Sequence, residues 1–195
     1  MAKFEFNDSP EQQAIRSAMR LAAAKHPLGK LECEDAIKLA DAALDAGIYT
    51  DAVRELALDS DCSSYPDEAI LRVFTELNIP ILDEDKATLF LIYHYMRRIA
   101  DGGDQPIDLL GELDYFIDNC FRRFDYANER LFGDPTVDQL FIRIFELDCA
   151  QLDLYISGEA AFKYRGQRKS NAVGWLEQDI IRLAKDWGAS DECCK

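Results

Sequence analysis

Residues Leu39 to Ser60 read LADAALDAGIYTDAVRELALDS. Two short amphipathic helical patterns flank Gly47, and Ala43 stands four residues before it. That is the spacing of a DNA-reading helix-turn-helix. The charge points elsewhere. The second helix and its extension, DAVRELALDSD, offer one arginine against four acids, Asp51, Glu55, Asp59 and Asp61. A recognition helix needs cations for phosphates and donors for base edges, so this one has the wrong sign. The stretch reads instead as a packing hairpin. Gly47 supplies a left-handed stop, Thr50 caps the next helix, and Val53, Leu56 and Ala57 form its apolar stripe.

The same helical grammar runs through the chain. Ser9-Pro10-Glu11-Gln12 is a capping box with proline in the first turn, opening a helix to about Lys25. A second helix covers about Cys33 to Ala46, and Pro66 opens a fourth that ends near Asn78 and Pro80. Asp83 caps a fifth helix, read to about Asp101, whose run Leu89 to Tyr93 is apolar nearly all round. Pro106 starts a sixth. Gly133-Asp134-Pro135 is a break, after which a seventh helix is expected to end at Gly158. A last helix is read from about Asn171 to Trp187, after a loop at Phe162 to Ser170. Strand alternation is lacking apart from Phe4 and Phe6. The expectation is an all-α fold, a compact irregular bundle of about seven to eight helices. Residues 1–195 are read as a single helical domain, with 133–135 the place where an N-terminal module could part from a C-terminal helical pair.

Composition narrows the function. The 195 residues are 48% hydrophobic, and 37 acids against 22 basic residues give a net charge of −15. Such a chain folds, and it repels phosphate backbones unless its cations are segregated on one face. No apolar run approaches the roughly 20 residues that span a bilayer, and the first residues lack a signal-peptide pattern. A cytoplasmic protein with no membrane and no nucleic-acid partner is expected. The six cysteines show no C-x-x-C spacing, so they are read as reduced thiols.

Catalytic and metal motifs are sparse. The two histidines, His26 and His94, sit in neither H-E-x-x-H nor any other ligand pattern. His26 precedes Pro27 and reads as a solvated turn residue. His94, between Tyr93 and Tyr95, could serve a pocket with Tyr95, Arg98 and Arg122, but a hydrogen-bonded core histidine is the simpler reading. Asp114 and Asp118 share a helical face, as solvated acids commonly do. No metal site and no cofactor is expected, and the balance leans against an enzyme. The one basic cluster, FKYRGQRKS with Lys163, Arg165, Arg168 and Lys169, could contact a phosphate. A solvated connector, or neutralisation by the chain's own acids, is the plainer reading. Arg97-Arg98 and Arg122-Arg123 are expected to pair with acids.

The run of Leu39, Ala40, Leu44, Gly47, Thr50, Val53, Leu56, Ala57, Phe74, Leu77, Ile79, Ile99, Pro106, Gly111 and Leu113 resembles a helical module of uncharacterised bacterial proteins. It covers about residues 36–118 and is similar to immunity-protein-like and domain-of-unknown-function groups, some associated with toxin systems. The resemblance implies a small cytoplasmic bacterial protein that acts by binding, and it implies no catalytic residues. Acidic charge then favours a basic protein partner, such as a toxin domain, met by Asp59, Asp61, Asp101, Asp104, Asp114 and Asp118. An enzyme or small-ligand binder built around His94 and Arg98 is the alternative.

Overall fold

In the computed structural model, the described residues are 8–58, 67–102, 105–123, 132, 134–161, 163–165, 167–168 and 170–189; side chains are described except at 119–123, 158–161, 167, 168, 170 and 189. Eight α-helices lie among them. They are α1 (Pro10–Lys25), α2 (Cys33–Asp45), α3 (Asp51–Leu58), α4 (Asp67–Glu76), α5 (Glu84–Ala100), α6 (Pro106–Arg123), α7 (Pro135–Ala161) and α8 (Ser170–Ala189). The fold is all-α, as the sequence predicts. The chain divides into two compact units, residues 1–87 and 88–195, and the boundary falls within α5.

In the first unit, local hydrogen bonds set the helix ends. The Ser9–Gln12 capping box forms, with the Gln12 amide donating to Ser9 Oγ at 3.2 Å and the Ser9 amide to Gln12 Oε1 at 3.0 Å. Helix α2 ends as its sequence dictates. The Ile48 amide reaches Ala43 O at 2.8 Å, the Gly47 amide reaches Leu44 O at 2.9 Å, and Gly47 takes φ +80°. This is a Schellman stop. The same pair of bonds closes α4, where Asn78 takes φ +54° and the Ile79 amide reaches Phe74 O at 2.8 Å. Thr50 caps α3 by accepting from the Val53 amide at 3.2 Å. Glu76 on α4 accepts the Ala52 amide at 2.9 Å, and this bond, helped by the Thr50 hydroxyl, holds its carboxyl below the usual range. The opening hairpin is therefore locked from outside by α4. Ala36, Ala40, Ala43, Ala52, Val53, Leu56, Val73 and Phe74 form its buried core.

His26 departs from the solvated turn predicted for it. Its side chain is 17% exposed, with Phe74 edge-on at 6.2 Å and Asp67 Oδ1 at 3.4 Å. The proline after it bends the chain into a 3-10 turn, His26–Leu28, that brings the ring against α4.

The second unit packs the later part of α5 with α6, α7 and α8. Leu91, Ile92, Met96, Ile99, Leu109, Leu110, Leu113, Ile117, Phe141, Ile144, Leu176, Ile180, Leu183 and Trp187 are almost wholly excluded from solvent. Asp134 caps α7 by accepting the Thr136 amide at 2.8 Å and the Val137 amide at 3.3 Å. Two sequence expectations are corrected. Gly158 does not stop α7, which continues to Ala161. A glycine stops a helix only where the chain adopts the left-handed turn; inside a helix it costs about 1 kcal/mol. The loop at 162–170 contains a short antiparallel pair, β1 (Lys163–Tyr164) and β2 (Gln167–Arg168). Two-residue strands carry too little alternation to register in a sequence.

Trp187 is fully buried and meets Tyr93 edge-on at 5.1 Å. Replacing it by alanine is expected to cost about 3–5 kcal/mol in a urea melt, and phenylalanine should recover part of that loss.

Candidate functional site

The second unit concentrates the chain's unusual chemistry where α6 meets α7. Gly111 faces Gln151 so closely that a Cβ there would lie 2.5 Å from Gln151 Nε2. One turn further along α6 and one turn back along α7, Asp114 is hydrogen-bonded to Asp148. These two contacts define an antiparallel register. Two carboxyls can hydrogen-bond to each other only if one holds a proton. Burial first, and then the Asp114 charge and hydrogen bond, push Asp148 up to about 6. Neighbouring Cys149 feels the same field, its thiol pushed up by burial and then by Asp148, Asp153 and Asp114.

Beyond this register the outer face of α7 is uncovered. Leu152 is 55% exposed, Ile156 73% and Tyr155 87%. Phe145, Cys149, Leu152 and Ile156 recur at steps of four, three and four, which places them along one side of the helix. Glu146 and Asp153 flank this stripe on one margin, and the Asp114–Asp148 pair on the other. Leu140, Ile144 and Leu147 recur at helical spacing on the buried side of α7, and Leu152 and Ile156 fall on the opposite side.

The basic cluster is placed by a buried acid. Asp179 on α8 is 6% exposed, and both Arg165 and Arg182 are ion-paired to its carboxylate. Tyr164 donates its hydroxyl to Asp179 Oδ2 at 2.9 Å. Burial, and then that hydrogen bond, raise the Tyr164 phenol above its ordinary range. Arg165 sits at the hairpin turn with φ +51°, a conformation that costs a non-glycine residue roughly 1–2 kcal/mol. The ion pair to Asp179 offsets that cost. Of the two readings of the loop, neutralisation by the chain's own acid holds for Arg165.

The other predicted residues are scattered. His94 is half-buried, stacked on Phe90 at 6.5 Å and edge-on to Tyr95 at 5.4 Å. Tyr95 is buried, and burial followed by the charge of Glu112 pushes its phenol up to about 12. Arg98 lies over the Tyr95 ring at 5.6 Å and 3.8 Å from Glu112. The side chain of Arg122 lies outside the described residues, as do those of Arg123, Asp59, Asp61 and Asp104. Asp101 is exposed near the end of α5, 3.9 Å from Arg97. Asp118 is partly buried one turn beyond Asp114 on α6. Among the described residues no group of three or more His, Cys, Asp or Glu side chains is placed to hold a metal ion. No helix among them is long and apolar enough to cross a membrane. An open groove of about 300 Å³ runs between α1 and α2, floored by Leu21, Ala22, Leu31 and Leu39 with Lys25 and Lys38 at its edge.

No protein-family model, curated protein or solved structure matches the chain.

Because Asp148 titrates higher in the folded chain than in the unfolded one, folding takes up a proton between about pH 4 and pH 6. Stability should fall as pH rises through that window and stay lowered above it. Asp148→Asn removes the ionisation and keeps a donor for Asp114. The variant should match the parent near pH 4 and exceed it by about 1–2 kcal/mol at pH 7.5, after allowing for solvent at the half-buried pair, in denaturant melts across pH. Asp179→Ala should cost about 2 kcal/mol and make the 163–168 hairpin cleavable by trypsin in the folded protein.

Proposed function

We propose that the protein acts by binding a cationic protein partner rather than by catalysis. The observation that carries this reading is Asp179. The cluster at 163–169 is the one run of basic residues that could have offered a phosphate-binding face. There, Arg165 spends its charge on a carboxylate from α8. Other cations are engaged in the same way. Arg72 holds Glu55 and Glu76, and Arg143 holds Asp186 at 2.8 Å. With these cations paired to acids, the chain keeps the field of a net charge of −15. Such a field accelerates encounter with a basic partner and repels nucleic acid.

The resemblance at 36–118 gives this reading a particular form, an immunity-like inhibitor of a basic toxin domain in the bacterial cytoplasm. The pocket reading around His94 gains less support. His94 lies between Phe90 and Tyr95, and Arg98 is drawn to Tyr95 and Glu112, which turns both toward packing.

The test is calorimetric titration of the full chain against the products of the genes adjacent to its own, at 50 and 500 mM salt. One strongly basic product should bind, at least tenfold more weakly at high salt. Absence of binding at 50 mM, or binding indifferent to salt, would contradict the reading.

A further inference from the structure

We infer that the uncovered stripe of α7, centred on Leu152 and Ile156, is the docking surface, and that its occupant is an amphipathic helix of the partner with Lys or Arg along both edges of an apolar face. This rests on the reading of a cationic partner and says where and in what form that partner docks.

Three observations carry it. The first is exposure. Leu152, Tyr155 and Ile156 present large apolar side chains to solvent within two turns of one helix, whereas Leu140, Phe141, Ile144 and Leu147 of the same helix are buried. Isolated exposed apolar residues are ordinary, but a contiguous group marks a contact surface. The second is shape. The spacing of Phe145, Cys149, Leu152 and Ile156 produces a straight helical ridge, which an amphipathic helix matches with anchors at i, i+3 or i+4, and i+7. Continuing the register set by Gly111–Gln151 brings Tyr155 level with the first turn of α6, where that neighbour runs out.

The third is charge, and it selects the occupant. Glu146 and Asp153 border the ridge on one side, and Asp114 with Asp148 on the other. The Cys149 thiol, on the ridge itself, is raised in part by three of these four carboxylates. A second copy of this chain would bring the same acidic margins against one another, where like charges repel. A helix with basic margins would meet both edges with opposite charge.

The test uses the full chain and two labelled 14-residue peptides of equal positive charge. One has leucines on a single helical face with lysines at its margins; the other is a scramble of it with no apolar face. The receptor variant is Leu152→Gln with Ile156→Gln. Both positions are exposed and glutamine is a good helix former, so the fold is retained, checked by an unchanged melting temperature. By fluorescence anisotropy at 50 mM salt, the amphipathic peptide should bind at least tenfold tighter than the scramble. The double variant should lose that tenfold and leave the scramble unaffected. If the amphipathic peptide binds the variant as well as the parent, the docking site on α7 is overturned while a cationic partner still stands. If neither peptide binds at low salt, the cationic reading falls with it. If the parent is a dimer by light scattering and the variant a monomer, the occupant is a second copy and the inference is overturned.

Discussion

Fifteen surplus negative charges on 195 residues are the constraint to which the structure answers. A helical bundle with that excess has to spend its cations sparingly. Arg72 bridges α3 and α4 through Glu55 and Glu76, and Arg143 ties α7 to α8 through Asp186. These pairs are exposed, and each contributes little by itself. Arg165 and Arg182 serve differently, because the carboxylate they share is nearly removed from water. Leaving Asp179 without them would strand a buried charge, so the hairpin and α8 form as one piece.

Asp114 and Asp148 face each other across α6 and α7, and burial together with the Asp114 carboxylate pushes Asp148 up to about 6. One turn away, the absence of a side chain at Gly111 leaves room for Gln151 of α7 against α6. Further along α7, Leu152, Tyr155 and Ile156 are exposed.

Much of the fold was legible because it is written in local signals. Ser9, Gly47, Thr50 and Asp83 set helix ends through bonds to residues only a few positions away, and Pro106 and Pro135 stand at first helical positions, where no N–H is needed. Gly158 misled because a glycine permits a stop without enforcing one. The 163–168 hairpin was hidden because its stability comes from Asp179, fifteen positions after Tyr164. The site was less legible still. Asp114 was noted as an acid on a helix face, but nothing in its own helix discloses Asp148. Leu152 and Ile156 carried no reading of their own in the sequence, and their exposure follows from the side of α7 on which they lie.

The proposed docking of a partner on the exposed face of α7 is a spatial claim, and hydrogen–deuterium exchange addresses it directly. The full chain would be followed alone and when saturated with a cationic amphipathic peptide. The account predicts slowed exchange concentrated in residues 149–157 of α7, with the Leu39–Leu58 hairpin unchanged. Protection centred on that hairpin, or spread evenly over the acidic surface with α7 unaffected, would contradict it.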